Sequence, residues 1–395
     1  MRCMVSPDGH WLAFYSGSME APYDLTLNVM SIPDGIVWPV TRLFSSDYPE
    51  VLSVVVEWLS PQLEYPLDLE SLQLYFPDAM MRALAWSPDG SSLAFAGQMD
   101  GPSSDLYIYE VETGQIRRLT DDLQILYGIS WSPDGKWLMI VNMLPDNYTV
   151  KTLHRIRANG NLVSNPAALE KGAFWAGVEW IAPNLYLVSG APDGGELFGL
   201  RSWNVETGQR KDIWTSTYFG FAIDPERQLI AISGEPRDDI EWDSQEYAFY
   251  FATYDGRKQK ISDDIFWEIV FRGGLASNFI GLDGKYIVTI ALDGTLANMG
   301  IGPNKQISVS PNRQWFLLYG GEARLYSATD QPVRTFGDLK ISGALWWRDS
   351  SGLVVTTGRE LYTITVPDGV PVLIDSCQSL EKYCGFEAEN MLWIP

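Results

Sequence analysis

The sequence predicts an all-β protein that repeats one four-stranded unit along its 395 residues. Two observations support this: a Ser-Pro-Asp-Gly phrase recurs along the chain, and a second turn recurs at a regular distance after it. Short apolar runs flank both turns. Because proline presets the first turn angle and glycine accepts a positive φ, this pattern is typical of β-hairpins joined in series.

The first turn has three clear copies, three weaker ones and one degenerate one. In chain order they lie at residues 6–9, 87–90, 132–135, 180–183, 223–225, 309–312 and 347–350. We expect the aspartates of the clear copies, Asp8, Asp89 and Asp134, to accept hydrogen bonds from nearby backbone amides. Tryptophans at the end of the preceding strand should fill the wedge between neighbouring units. These are Trp86, Trp131, Trp180 and Trp347.

The second turn recurs eight times, so eight units are expected. Its copies lie at residues 34–35, 113–114, 159–160, 207–208, 255–256, 293–294, 329–330 and 368–369. Each unit then reads strand a, first turn, strand b, a variable loop, strand c, second turn and strand d, over roughly 40–48 residues. Four antiparallel strands in such a unit form a blade of a β-propeller. We predict eight blades, with seven as the alternative if the sixth and seventh units are merged.

One phrase points to a known repeat. Trp86-Ser-Pro-Asp-Gly90, which runs on to Arg117-Arg-Leu-Thr120, resembles the TolB-type propeller repeat, a relative of WD40 repeats. The resemblance covers nearly the whole chain except residues 44–81 and the segment after Asp375. It implies a fold rather than an activity, because such blades serve as binding modules, translocation partners, lyases and the non-catalytic caps of prolyl-oligopeptidase-type enzymes.

The domain organisation follows from the repeat. We predict a single propeller domain over residues 1–395, with an insertion at about 44–81 between the first two blades and a closing tail at about 376–395. The insertion is rich in apolar side chains, so we expect it to fold over the face of the propeller that carries the variable loops, which we call the loop-rich face. The tail ends in a segment that resembles another strand a, so we expect it to pair with the first blade and help to close the ring. The alternative is that it packs on the rim of the propeller. Its Cys377 and Cys384 are either a disulfide or two ordinary thiols.

Charge and hydropathy exclude several classes of partner. The chain has 28 basic and 50 acidic residues, a net charge of −22, which argues against a nucleic acid or an anionic membrane surface. No run of 18 apolar residues exists, so no membrane span is predicted. Because the first turn follows Val5 at once, we do not expect the first residues of this sequence to be a signal peptide; the alternative is a leader that precedes them. We nevertheless expect an acidic propeller of this type to be periplasmic or extracellular.

Catalytic and metal-binding patterns are weak, so we do not expect an enzyme. The two histidines, His10 and His154, are far apart and have no ligand partner at short spacing. No Gly-x-Ser-x-Gly elbow and no phosphate-binding loop occur. We expect no cofactor, and calcium is the one weak candidate. Its ligands would come from the acidic loop 235–246, through Asp238, Asp239, Glu241 and Asp243. The alternative is a solvated loop.

A ligand-binding mouth is predicted on the face that carries the variable loops. The expected loops between strands b and c, at residues 17–24, 97–105, 142–150 and 234–246, emerge there together with those between units. Functional residues concentrate on such loops. Aromatic residues recur at about the same distance before the first turns, and one more lies in the acidic loop. This set comprises Tyr127, Trp175, Phe219, Trp267 and Trp242. Such side chains stack on sugars or hold apolar groups, and their alternative role is packing between the tops of blades.

These observations favour a non-enzymatic binding propeller that docks a protein partner or a neutral saccharide on its loop-rich face. The acidic excess disfavours anionic ligands. One alternative is a carbohydrate-active or cyclase-type enzyme that uses carboxylates, which requires two convergent acids with displaced pKa values. The other alternative is a structural scaffold without a small-molecule site.

Overall fold

The computed structural model describes most of the repeat region. The described residues are 3–18, 21–44, 53, 80–100, 103–122, 124–144, 147–174, 179–192, 198–216, 219–224, 227–234, 248–266, 268–271, 279–282, 287–298, 306–347, 349–357 and 360–376. Apart from Ser53 and one helical turn at 80–82, their regular structure consists of strands. The interior of the insertion and the segment after Ser376 lie outside the described residues, so the predictions for both stay predictions.

The strands fall into antiparallel groups of four that follow the repeats. The first two groups are β1 (Cys3–Val5), β2 (Trp11–Ser18), β3 (Ala21–Ser31) and β4 (Val37–Arg42), then β5 (Leu84–Trp86), β6 (Ser92–Gly97), β7 (Asp105–Glu110) and β8 (Gln115–Arg118). The third and fourth are β10 (Ile125–Trp131), β11 (Trp137–Leu144), β12 (Asn147–Arg157) and β14 (Ala168–Phe174), then β15 (Glu179–Ala182), β16 (Leu185–Pro192), β17 (Phe198–Asn204) and β18 (Arg210–Ser216). Short strands β9 (Thr120–Asp121) and β13 (Val163–Ser164) form a parallel pair.

The second half of the chain continues the pattern. Its first two groups are β19 (Phe219–Asp224), β20 (Leu229–Gly234), β21 (Ala248–Thr253) and β22 (Lys258–Ser262), then β23 (Glu268–Phe271), β24 (Phe279–Leu282), β25 (Ile287–Ile290) and β26 (Leu296–Asn298). The last two are β27 (Gln306–Val309), β28 (Trp315–Tyr319), β29 (Ala323–Ser327) and β30 (Pro332–Phe336), then β31 (Gly343–Trp346), β32 (Gly352–Thr356), β33 (Glu360–Thr365) and β34 (Val372–Ser376).

The all-β propeller fold is confirmed, and the described residues form seven sheets of four or more strands, as the seven-blade alternative requires. Six of these sheets have four strands and one has eight. The eight repeats give seven sheets because the third and the fourth repeats share the eight-stranded sheet. The merging occurs there, whereas the sixth and seventh repeats, where we expected it, form separate sheets.

The shared sheet arises from an extension of β14. Lys151 of β12 pairs with Gly172 of β14, and the same Gly172 pairs on its other side with Pro192 of β16. Strand β15 pairs with the remainder of β16. The edge of β16 is therefore shared: strand d of the third repeat, β14, pairs with one part of it, and strand a of the fourth repeat, β15, pairs with the other.

The chain forms two compact units, and the boundary between them lies between Lys211 and Asp212, inside β18. Within each unit, hydrophobic residues form cores between sheets. In the first unit, the largest core contains fully buried Tyr15, Phe95 and Ile140 from the first three repeats. In the second unit, one core joins the fifth and sixth repeats and another joins the seventh and eighth. Apolar side chains that alternate along strands b and c produce this arrangement.

The first turns have the hydrogen bonds expected from their sequence. In the third repeat, the Ser132 hydroxyl donates to Asp134 at 2.7 Å and accepts the Trp137 amide at 2.9 Å. Asp134 in turn accepts the Lys136 amide at 3.2 Å. Gly135 has a φ of 70°, which favours glycine. The equivalent bonds occur at the turns that begin with Ser6, Ser87 and Ser310.

The motif tryptophans join neighbouring repeats, as predicted for Trp86 and Trp131. The indole N–H of Trp86 donates to the Met4 carbonyl at 3.0 Å, and that of Trp131 donates to the Ala85 carbonyl at 3.0 Å. In the eighth repeat this role belongs to Trp346, which donates to the Ser308 hydroxyl at 3.1 Å, rather than to Trp347. The degenerate motif is therefore in register one residue earlier than expected.

Two segments that we expected to be loops between strands b and c are mostly strand. In the first repeat, β2 and β3 are paired as far as Ser18 and Ala21, inside the expected loop 17–24. In the third repeat, β11 and β12 extend through most of the expected loop 142–150. The interstrand pairing continues beyond the apolar runs into polar residues, so the apolar pattern predicts strand ends that are too short.

Candidate functional site

A cavity of about 650 Å³ lies in the first compact unit. Its walls come mainly from strand a of the first three repeats, β1, β5 and β10, with single residues from β11, β12 and β16. Its volume lies within the range of pockets that hold small molecules. The inner strands of several repeats thus contribute to one concave surface.

Tyr127 lines this cavity at an irregularity in the sheet. On β10, Leu126 pairs with Asn142 and Gly128 pairs with Val141, so Tyr127 is the extra residue of a β-bulge. Bulges change the direction of a side chain and are common beside functional sites. Here the bulge places a partly buried phenol ring in the cavity wall.

Two basic side chains also line the cavity. The ammonium group of Lys151 lies 4.5 Å from the centre of the Tyr127 ring, a distance suited to a cation–π interaction. Arg82, just before β5, is exposed and belongs to the same wall. Burial lowers the pKa of Lys151, and the positive charge of Arg82 lowers it further. None of the described residues that line the cavity is acidic.

The indole groups in the wall have their polar atoms engaged elsewhere. Trp86 and Trp131 both line the cavity, and each donates its N–H to a backbone carbonyl of the preceding repeat. They therefore present apolar ring surface to the cavity. This combines the packing role predicted for them with a place in the cavity wall.

A buried polar network lies near the start of the third repeat. Asp122 accepts the Gln124 amide at 2.7 Å and the Asn142 side-chain amide at 3.3 Å. The Thr152 hydroxyl donates to the Gln124 side chain at 2.5 Å and lies 2.8 Å from His154 Nε2. Burial raises the pKa of Asp122 and lowers that of His154. The network ties the segment before β10 to strands b and c.

A second buried carboxylate lies next to this network. Asp105 Oδ1 accepts the Asp122 amide at 3.3 Å, and Arg118 donates to Asp105 at 2.7 Å. Burial raises the pKa of Asp105 to about 6 in spite of that arginine. Both carboxylates with raised pKa values therefore bond the connection between repeats, and neither lines the cavity.

Of the predicted mouth residues, Tyr127 alone lies with its side chain among the described residues. Phe219 is the first residue of β19, and only its backbone is described. Trp175, Trp267 and Trp242 lie outside the described residues, so their role stays a prediction.

The predicted calcium ligands are also outside the described residues. These are Asp238, Asp239, Glu241 and Asp243. Within the described part of the chain, no group of three or more histidine, cysteine, aspartate or glutamate side chains is arranged to hold a metal ion. In the same part of the chain, no helix has the length and apolar character needed to cross a membrane.

Sequence reasoning missed the two basic residues of the cavity. Lys151 lies in β12 between Val150 and Thr152, and Arg82 directly follows the insertion, so neither belongs to a recurrent position. The pairing of β10, β11 and β12 brings Lys151 close to Tyr127, and the packing of the segment before β5 brings Arg82 to the same wall. Neither contact has a signal in the local sequence. The bulge has one local signal, the glycine that follows Tyr127.

Comparison with known proteins supports the fold. No family model matches the chain. A stretch of 68 residues is 41% identical to the uncharacterized peptidase YuxL of Bacillus subtilis. This match covers 16% of this chain and 10% of YuxL. The crystal structure of a eukaryotic initiation factor is 12% identical with a TM-score of 0.52, over 95% of this chain and 87% of that one. The TolB structure from Acinetobacter baumannii is 17% identical with a TM-score of 0.34, over 65% of this chain and 53% of that one.

Proposed function

We propose that this protein is a non-enzymatic binding propeller, located outside the cytoplasm, that docks a protein partner or a neutral saccharide on its loop-rich face. The observation that carries the proposal is the cavity beside Tyr127. It is concave, has aromatic and apolar walls and contains a few polar groups, which is the usual composition of a binding site. The two buried carboxylates with raised pKa values lie elsewhere, and none of the described residues that line the cavity is acidic.

We further propose that the binding surface extends beyond the cavity along one propeller domain. Tyr127 marks its described part. By sequence spacing, Trp175, Phe219 and Trp267 would occupy comparable positions in the following repeats, and Trp242 would add to the surface from the acidic loop 235–246. The insertion 44–81 would cover the same face. Residues 376–395 would help to close the domain. An aromatic set of this kind suits ligands with sugar rings or apolar side chains.

An immobilised glycan and peptide array probed with the purified chain tests this function. Binders should then be titrated against Tyr127→Ala and against the double variant Trp175→Ala with Trp267→Ala. We expect affinity to fall several-fold in each variant while the melting temperature changes little, since each aromatic contact contributes about 0.5–1.5 kcal/mol beyond its buried area.

Trp38→Ala is the matched control, because Trp38 is a partly exposed aromatic residue on β4 that does not line the cavity. Its affinity should equal that of the unmodified protein. A large loss of stability in the double variant with unchanged affinity would assign these aromatics to blade packing instead. Absence of any binder on the array would favour the scaffold alternative.

A further inference from the structure

We propose that Thr152 and Gln124 are positioning residues of the candidate binding site, because together they hold Tyr127 in the cavity wall. This inference rests on the proposed binding function and identifies residues that determine the shape of its described site. Neither residue lines the cavity, so both act through the backbone that leads into Tyr127.

Strand pairing alone does not fix the direction of Tyr127. The pairing of β10 with β11 skips this residue, so it has no partner in the ladder. The extra residue of a bulge is left unpaired, and its direction depends on the chain at either side. After Tyr127, four successive residues pair with β11, whereas before it only Ile125 and Leu126 do. The segment before Tyr127 is therefore where additional bonds decide whether the bulge forms.

Side chains outside the ladder hold that segment. The Ser104 hydroxyl of the second repeat accepts the Leu126 amide at 2.7 Å, and Ser104 also forms a parallel bridge with Ile125. Asp122 accepts the Gln124 amide at 2.7 Å. These bonds hold the backbone from the side of the second repeat and leave the Gln124 side chain to reach the strands of its own repeat.

Thr152 on β12 makes that second connection. Its buried hydroxyl donates to Gln124 Oε1 at 2.5 Å and lies 2.8 Å from His154 Nε2. The preceding residue of β12, Lys151, has its ammonium group 4.5 Å from the centre of the Tyr127 ring. Successive residues of a strand point to opposite faces. Strand β12 therefore contacts the Tyr127 ring on the cavity face and holds the segment before it from the other face.

The bond between Thr152 and Gln124 selects one of two registers of β10. If the bulge is absorbed, the chain before it shifts by one residue, and a shift of one residue turns side chains to the other face of a sheet. The phenol ring of Tyr127 would then leave the cavity wall. Thr152 and Gln124 thus determine which surface the cavity presents to a ligand.

Fluorine NMR of the full chain, with 3-fluorotyrosine at position 127 alone, tests the inference without any ligand. We expect one resonance, displaced from that of free 3-fluorotyrosine because Trp86 and Trp131 line the same cavity. In Thr152→Val, which keeps the shape of the side chain but removes its hydroxyl, the resonance should move by more than its linewidth or split into two. Thr152→Ser keeps the hydroxyl and should keep the original resonance.

Two further variants assign the effect to this bond. Gln124→Met should give the same change as Thr152→Val, and the double variant should add nothing to either, because both remove one interaction. Ser92→Ala is the matched control. It removes another buried hydroxyl, which donates to Glu110 at 2.7 Å in the second repeat and does not line the cavity. It should lower the melting temperature without moving the resonance of residue 127.

Three results would overturn the inference. These are an unchanged resonance in Thr152→Val or, if that variant does not fold, in Gln124→Met; an equal change in Ser92→Ala; and a changed resonance in Thr152→Ser. Each of them leaves the proposed function intact, since an array binder would still be tested against Tyr127→Ala. A resonance that moves in Thr152→Val while the affinity for an array binder stays the same would support the positioning of Tyr127 and contradict its place in the binding site.

Discussion

The first turns of the repeats and the junction between the third and fourth repeats hold sheets together by different means. The three clear turns use a short-range pattern, in which a serine hydroxyl and a turn carboxylate accept amides up to five residues away. The junction uses long-range contacts: Glu170 of β14 binds Arg201 of β17 and accepts the Trp203 indole N–H at 2.7 Å. The turn residues thus act within one repeat, whereas Glu170, Arg201 and Trp203 join the third repeat to the fourth.

The junction should be the more sensitive of the two regions. Replacing Glu170 by alanine leaves the buried Arg201 guanidinium without its carboxylate and the Trp203 N–H without its acceptor. Breaking one partner of a buried ion pair costs about 3–5 kcal/mol. Urea unfolding should report a loss of stability of this size.

The double variant Glu170→Ala with Arg201→Met is the control for that experiment. It removes both charges, so it should be less destabilised than the sum of the two single variants. If the losses are simply additive, Glu170 and Arg201 do not act as a pair.

Two glycines separate backbone strain from contact between repeats. Gly90 and Gly114 have nearly the same φ, 74° and 68°, but a Cβ on Gly90 would lie 2.7 Å from the Asp8 carboxylate, whereas Gly114 has open space. Gly114→Ala should cost about 1–2 kcal/mol from the left-handed conformation alone. Gly90→Ala should cost about 2–4 kcal/mol, because overpacking adds to the strain. Equal melting temperatures for the two variants would contradict a tight contact between the first two repeats.

A single turn should contribute less than the junction does. In Ser132→Ala, the Trp137 amide loses its hydroxyl acceptor and Asp134 loses a donor, which should cost about 1–2 kcal/mol. Thr113→Ala, at an exposed second turn, is a suitable comparison and should cost less than about 0.5 kcal/mol. Chemical denaturation of both variants measures the difference, and a larger loss for Thr113→Ala would reverse the ranking of the two turns.

The smallest expected effect depends on pH. Burial holds the pKa of His154 below 6.5, so the unfolded chain takes up a proton there more readily than the folded chain. This contribution to stability is present above about pH 6.5 and is lost as the pH falls. The stability difference between the unmodified protein and His154→Gln should therefore shrink from pH 7 to pH 5. A difference that does not change between pH 7 and pH 5 would mean that the folded protein protonates His154 as readily as the unfolded chain does.

The sequence was sufficient to predict the parts of the fold that depend on neighbouring residues. The Ser-Pro-Asp-Gly phrase specified the turn, its hydrogen bonds and the position of Trp86 and Trp131. It failed where pairing between distant segments decides the outcome. The extension of β14 onto β16 has no signal in the apolar pattern, since it only prolongs a strand by residues that a loop would also tolerate.

The candidate site was predicted in part for the same reason. Tyr127 was found by its position before the first turn of the third repeat, which is a property of the repeat. Lys151 and Arg82 reach it from other segments, and their proximity depends on the β-bulge and on the packing of the segment before β5. A site that depends on departures from a repeat is not visible in the repeat itself.

The shared strand β14 also has a consequence for how the molecule opens. In repeat proteins each unit contacts only its neighbours, and a unit can unfold separately when its interface with the next unit is weak. Because β14 is hydrogen-bonded to β12 on one side and to β16 on the other, the third repeat cannot detach without breaking the sheet of the fourth. Amide hydrogen exchange should therefore show these two repeats opening as one cooperative unit, and residues 172–174 should be among its slowest-exchanging amides.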